Sequence, residues 1–270
     1  MKSVELNSVL IVGCGWVGTE LAKTLIAQNI RVYGTTRSSE KASTLRSLGI
    51  EPIILELEKN ESVSTDLPDV DSVIISISPG RGDQRTQYPN HIRKLSELLA
   101  ISNQQVIMYS STSAYKGKHG IVTEQEADPD SNSENVILAA EGELKKAIPE
   151  SVILRLAGLF GSDRHPVRYL AGRNNISTGE APVNLVHRED VVRASIQIMK
   201  QLVKNEVFNL CSGHHPTKKE LYTKLAEKLG LEIPTFQSGG ADEKSVDGSK
   251  IKTMLEFEYL ENDLFTYSPS

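Results

Sequence analysis

Cysteine is scarce in this 270-residue chain: Cys14 and Cys211 are its only two, far apart in sequence and forming no metal-ligand spacing between them. Neither a disulfide nor a metal site is expected from that usage. Positive charge is not in excess either. With 30 Lys and Arg against 35 Asp and Glu, the net charge is −5, the wrong sign for a nucleic-acid footprint. The densest basic run, Lys116 to His119, is broken by Gly117 and reads as a solvated loop. Apolar runs stay well short of the ~20 residues that a membrane span needs. The N-terminus moves straight into a strand pattern without a secretion-signal layout. The expectation is a cytoplasmic protein with no membrane and no nucleic-acid partner, in which the sequons at Asn60 and Asn175 carry no meaning. Internal repeats and low-complexity tracts are missing as well.

What is present is an alternation. Short β-branched runs occur at Ser8 to Val12, Arg31 to Thr35, Pro52 to Leu55, Ser72 to Ile77, Gln105 to Ser110, Val152 to Arg155 and Val207 to Leu210. Between and after them lie stretches with apolar residues three and four apart: Val17 to Gln28, Glu40 to Leu48, Asn90 to Ile101, Asn135 to Lys146, Glu189 to Val203 and Lys218 to Leu229. Strands alternating with helices predict an α/β fold with a doubly wound parallel sheet. The segment Asn60 to Leu67 is too polar to assign. From Ala157 to Asn184 the regularity gives way to a Gly-, Arg- and His-rich stretch. The boundary expected is therefore 1–156 for the sheet domain, its last strand returning at about 206–211, and 157–270 mostly for a smaller substrate lobe.

The apolar strand Val9-Leu10-Ile11-Val12 runs directly into Gly13-Cys14-Gly15-Trp16-Val17-Gly18, which opens a helix bearing Leu21, Ala22 and Leu25. A bare GxGxxG is weak evidence, but its strand-turn-helix setting makes it specific for a Rossmann-type dinucleotide loop. Gly13 allows the tight turn, Gly15 the close approach of a pyrophosphate and Gly18 the packing of helix on strand. The amides and dipole of the helix start, at Trp16 and Val17, favour the anion. At the end of the second strand, where an acidic residue would grip the ribose of NAD, stand Thr36 and Arg37. Arg37 offers a planar cation to a 2′-phosphate, so the cofactor expected is NADP, with NAD second.

Further segments resemble the extended short-chain dehydrogenases, the epimerase and dehydratase group, in order along nearly the whole chain. Glu56-Leu57 resembles the end of the third strand, beside the adenine, and Ser76-Ile77-Ser78 the end of the fourth. Tyr109 to Tyr115 is similar to the post-strand serine segment, which implies Ser110 beside the cofactor and Thr112 bonding the reacting oxygen. Leu154 to Gly161 resembles the strand and turn beside the nicotinamide, which puts Ala157 and Gly158 there. Arg164-His165-Pro166 is most similar to an atypical branch of small epimerase-like proteins, and Asn184 to Val191 to the lobe segment before a long helix. Arg164, His165, Asn184 and His187 are the substrate-side candidates, with His187 equally readable as a structural imidazole.

The resemblance fails at one place. The family's catalytic Tyr and Lys, four residues apart on a helix, fall on Ser133 and Ile137, and neither can exchange a proton as that pair does. Tyr115, with Lys116 or Lys118 nearby, is the stand-in phenol. Two functions stay open: an NAD(P)-dependent oxidoreductase or epimerase acting on a small polar, sugar-nucleotide or phosphorylated substrate, or a non-catalytic NADP-binding module that reports redox state. The resemblance implies pairing of the helices after the fourth and fifth strands between subunits, and with the apolar run Val136 to Ala140 a homodimer is expected.

Overall fold

Val9 to Val12 are wholly shielded from solvent, as a strand must be when helices cover both faces of its sheet. In the computed structural model, which describes residues 5–58, 67–101, 103–161 and 163–266, this strand is β1 (Ser8–Val12), followed by α1 (Trp16–Ile26) and β2 (Arg31–Thr36). Then come α2 (Ser39–Ser47), β3 (Glu51–Ile54), β4 (Ser72–Ile75), α3 (Asp83–Leu99), β5 (Gln105–Ser111), β6 (Ile121–Val122) and α4 (Val136–Ala147). The remainder is β7 (Val152–Leu156), β8 (Gly158–Phe160), α5 (Pro166–Leu170), β9 (Leu185–His187), α6 (Arg188–Lys200), β10 (Val207–Leu210), α7 (Lys218–Lys228), β11 (Ser245–Val246) and α8 (Ser249–Leu255). Seven strands form one sheet in the order β10-β7-β5-β4-β1-β2-β3. The pairs β1 with β2, β1 with β4, β2 with β3 and β4 with β5 are parallel. This is the doubly wound Rossmann arrangement, with the order reversing at β1, where such sheets open a crevice.

Helix α3 starts seven residues earlier than the apolar spacing predicts. Gly82 precedes it and Pro89 lies inside it, and the polar stretch Asp83 to Gln87 offers no periodic signal. Tyr88, buried, holds this first part in place, and its hydroxyl donates to the Ile77 carbonyl 3.3 Å away. Strand β3 ends at Ile54 rather than Leu55, and most of the unassigned segment from Asn60 lies outside the described residues. Between Gln237 and Lys250 lies the short strand β11, parallel to β6.

The chain divides into two compact units. The first takes Met1–Ala114, Ala127–Arg155 and Val192–Val207; the second takes Tyr115–Glu126, Leu156–Val191 and Phe208–Ser270. In the first, Leu10, Val12, Val73, Ile75, Val106 and Met108 of the sheet pack with Tyr88, Ile92 and Leu95 of α3 and Ile137, Ala140 and Leu144 of α4. Within this core lies a charged pair. Glu141 and Arg155 are wholly buried, with Arg155 Nη2 2.7 Å from Glu141 Oε2. The guanidinium also donates to the Ala127 carbonyl, and the Ser110 hydroxyl donates to Glu141, the partners a buried pair requires. In the second unit Phe160, Val167, Val183, Leu185, Leu221, Tyr222 and Leu225 form a separate core. Among the described residues no helix is long and apolar enough to cross a membrane.

Candidate functional site

The turn from β1 into α1 is shaped by its glycines. Gly13 has φ +91°, a region that side chains disfavour, and a Cβ there would sit 2.8 Å from Ile77 Cγ2. Its amide donates to Thr35 Oγ1 at 2.9 Å, and the Gly15 amide donates back to the Gly13 carbonyl at 2.7 Å. Gly15 caps α1 without any side-chain hydrogen bond, and a Cβ built on it would find only Gly13 O, at 3.9 Å. Open space at a helix start fits a phosphate group: the helix's first amides have no partner within the helix, and the dipole attracts the anion. Gly18, one turn on, is different. Its Cβ would press on Gly13 O and Ile11 Cγ2 at 3.0 Å, so its role is packing.

A cleft of about 530 Å³ runs from Gly13 and Gly15 along the ends of the central strands. Thr36 at the end of β2, Arg37 and Ser38 after it and Lys41 on α2 line it, with Leu55, Leu57 and Glu58 after β3 and Ser76, Ile77 and Ser78 after β4. Gln84, Tyr88 and His91 come from α3. Trp16 and Val17 are not part of this lining; they shape the helix start, with Val17 buried behind it.

Two expected cofactor contacts change identity. Glu56 does not line the cleft, because Leu55 and Leu57 face it and successive side chains of extended backbone point in opposite directions. The chain bends at Leu57-Glu58, and the carboxylate that reaches the cleft is Glu58. Ser110 does not line it either, since its hydroxyl is committed to Glu141 inside the core.

Arg37 Nη1 lies 2.7 Å from Glu58 Oε1, with both side chains more than half exposed, at 67% and 52%. His91, on the neighbouring helix face, is held below the usual histidine range, chiefly by burial; Glu58 opposes that shift while Lys94 and Arg37 add to it. Lys41, Glu58 and His91 are absent from the sequence reading. Lys41 was legible, four residues after Arg37 at the start of a helix; Glu58 and His91 required the bend and the α3 boundary. Cys14 lines the cleft as a neutral thiol, pushed up to about 12 by burial, and no thiolate chemistry is available there.

Thr112 opens a tight helical turn, Thr112–Tyr115, directly after β5 and is half-buried. Asn135 ties this turn to α4: its side-chain amide donates to the carbonyls of Ser113 and Ala114 at 3.0 and 3.2 Å, while its oxygen caps the Ile137 amide. Ser133 precedes that cap, outside the helix, and its hydroxyl accepts from the Asn135 amide. Ile137 is a core residue, 1% exposed. The stand-in phenol does not hold. Tyr115 is wholly buried and its hydroxyl donates to Asn209 Oδ1 at 2.7 Å, a structural bond within the second unit that denies it exchange with solvent.

The remaining candidates belong to the second unit. Ala157 and Gly158 donate their amides to the carbonyls of Leu210 and Asn184. His165 is buried, its Nδ1 accepting from the Val167 amide to cap α5, and burial lowers its pKa to about 4. It is a neutral structural imidazole, stacked edge-on against Phe160. Asn184 is equally committed, accepting from the Val246 amide and donating to the Lys244 carbonyl to hold β11. These bonds give His165 and Asn184 framework roles in place of the substrate contacts expected. His187 is half-buried and accepts from the Glu189 amide at the start of α6, with its ring 5.1 Å from that of Phe160. Arg164 is exposed in a tight turn closed by reciprocal backbone bonds with Gly161.

A parallel sheet with a glycine-lined crevice at its reversal point defines a dinucleotide-binding α/β protein. A family model described as NAD(P)H-binding matches residues 13–201. The chain belongs to that NAD(P)H-binding family. It is 34% identical over 266 residues to Protein YeeZ of Escherichia coli (strain K12), covering 94% of this chain and 96% of that protein. Among solved structures it shares its fold with MoeE5 in complex with UDP-glucose and NAD, at TM-score 0.75 and 20% identity over 96% and 97% of the two chains. UDP-glucuronic acid 4-epimerase from Bacillus cereus in complex with NAD is similar at TM-score 0.74, also 20% identical, over 96% and 94%.

Proposed function

We propose that the protein is an NADP-dependent oxidoreductase or epimerase-like enzyme for a small polar substrate, phosphorylated or nucleotide-linked, and that it works without the Tyr and Lys pair of the extended short-chain dehydrogenases it resembles. The observation that carries the cofactor choice is the end of the cleft after β2, where Arg37, Ser38 and Lys41 stand with no acidic residue on β2 itself. In this reading Gly13 and Gly15 hold the pyrophosphate by backbone contact and Arg37 with Lys41 takes the 2′-phosphate. When bound, the nicotinamide supplies hydride exchange. Thr112 orients the reacting oxygen, and the proton comes from the substrate or water, since neither Ser133, Ile137 nor Tyr115 can provide it. That MoeE5 carries UDP-glucose with NAD is in keeping with a sugar-nucleotide substrate.

A second reading, a redox-reporting NADP-binding module, draws on one specific observation: the Lys position is a core isoleucine. Nicotinamide absorbance followed across sugar nucleotides, phosphorylated sugars and small alcohols separates the two. Turnover that falls in Thr112→Ala supports the enzyme. Tight NADP binding with no turnover on any substrate turns the balance to the reporter. Calorimetric titration with NADP and NAD, on wild type and Arg37→Ala, tests the cofactor. Equal wild-type affinities would refute the preference. A homodimer is proposed with α4 at its interface, where Val136 and Leu138 are only partly buried; sedimentation of the purified chain checks it.

A further inference from the structure

Resting on the NADP reading above, we propose that Glu58 is a built-in stand-in for the 2′-phosphate, a carboxylate that occupies Arg37 until the nucleotide displaces it, and that it sets how strongly NADP is preferred over NAD. The geometry is direct. Both residues line the cleft, and Glu58 Oε1 lies 2.7 Å from Arg37 Nη1. A carboxylate and a phosphate present the same oxygen pair to a guanidinium, so they compete for one fork of donors.

The cations nearby do not remove the competition. Lys41 lines the same end of the cleft, and Lys94 on α3 donates to the Leu57 carbonyl next to Glu58. A dianionic phosphate at Arg37 therefore brings like charge against Glu58 unless the carboxylate swings away. Swinging is feasible. Both side chains are more than half exposed, and exposed ion pairs are weakly held. The position also explains why Glu58 need not harm NAD. The ribose hydroxyls of NAD carry no charge and make no claim on the Arg37 guanidinium, so they leave the Arg37–Glu58 pair in place. The carboxylate thus acts selectively against the phosphorylated nucleotide and narrows a preference that Arg37 and Lys41 alone would make larger.

The test is calorimetric titration of NADP and NAD into the full chain, as wild type, Glu58→Gln, Arg37→Ala and the double variant. Glu58 is exposed, so its replacement leaves the fold intact. Glu58→Gln should tighten NADP by about three- to tenfold, the scale of an exposed pair plus the like charge relieved. NAD should move by no more than about twofold, and the gain should vanish in the double variant and shrink in high salt. If Arg37→Ala weakens NADP while Glu58→Gln leaves it unchanged, the stand-in is wrong and the cofactor reading survives. If Glu58→Gln weakens NAD by tenfold, Glu58 is a ribose acceptor and the proposal is overturned. If Arg37→Ala leaves NADP affinity unchanged, the cofactor reading itself fails and takes the stand-in with it.

Discussion

The glycine loop between β1 and α1 and the approach to α4 belong to the same unit, yet they do opposite things with their residues. The loop presents backbone: Gly15 leaves open space where its Cβ would be, and no side chain caps the helix behind it. The approach to α4 closes every group on another: Ser133 on Asn135, Asn135 on the Ser113 and Ala114 carbonyls, Ile137 in the core, and Glu141 on Arg155 and Ser110. A site made of backbone survives as long as the fold does. A site made of a phenol and an ammonium depends on two side chains, and the two residues that the resemblance assigns to that pair, Ser133 and Ile137, serve turn geometry and packing.

The comparison breaks most visibly at Glu141. Glu141→Ala leaves Arg155 charged and wholly buried without its carboxylate, and removal of one partner of such a pair costs about 3–5 kcal/mol. Chemical denaturation should show that loss. A change below about 1 kcal/mol would mean that the α4 region tolerates disruption and is not the closed framework described here.

His165 extends the same contrast to the second unit. Burial holds its imidazole at about 4, below the 6.5 of an unfolded histidine. Between those values the unfolded chain takes up a proton that the folded chain does not, so stability falls with acidification. The contribution is complete above about pH 6.5 and is lost toward pH 4, by up to about 3 kcal/mol. Burial shifts His187 and His215 the same way, so the dependence in His165→Asn should flatten without disappearing. Denaturation at pH 7 and pH 5 checks it; an equal slope in wild type and variant would show that His165 takes up its proton as readily folded as unfolded.

Gly15 and Gly18 then divide the loop by function. Gly15→Val should lower nucleotide affinity at least about tenfold through a clash with the phosphates, with stability little changed, because its side chain enters open space. Gly18→Val should instead destabilise the fold by about 1–3 kcal/mol, as overpacking does. Unchanged nucleotide binding in Gly15→Val would remove the loop as the phosphate site.

How far this was readable in the sequence follows the same division. The loop was legible because backbone chemistry announces itself through glycine spacing and the strand before it, and β1, β2 and β10 were found almost to the residue. Side-chain sites that depend on where an element stops were not. A one-residue shift in the end of β3, with a bend after it, exchanged Glu56 for Glu58. Pro89 and a polar first turn concealed the start of α3 that precedes His91. Tyr115, His165 and Asn184 read as functional because polar residues in a motif look alike in sequence whether they face a ligand or hold a framework. Their burial and partners exist only in three dimensions.

The smallest effect is expected at Ser133, and it decides between two meanings of that position. The hydroxyl accepts from the Asn135 amide at 3.2 Å, a single hydrogen bond near the surface whose loss in Ser133→Ala should cost about 0.5–1.5 kcal/mol. If Ser133 is only a turn residue, nucleotide affinity and any turnover found in the substrate panel should match wild type. If it has taken over the proton exchange of the phenol it replaces, turnover should fall by roughly 10²–10⁴ while affinity holds. Ser133 lies before the α4 cap, so the helical spacing that pairs a phenol with an ammonium one turn later does not exist there. The expected outcome is the small stability loss alone. A large loss of turnover with unchanged binding would place proton exchange at a serine outside the helix and overturn the distinction between the open loop and the closed approach to α4.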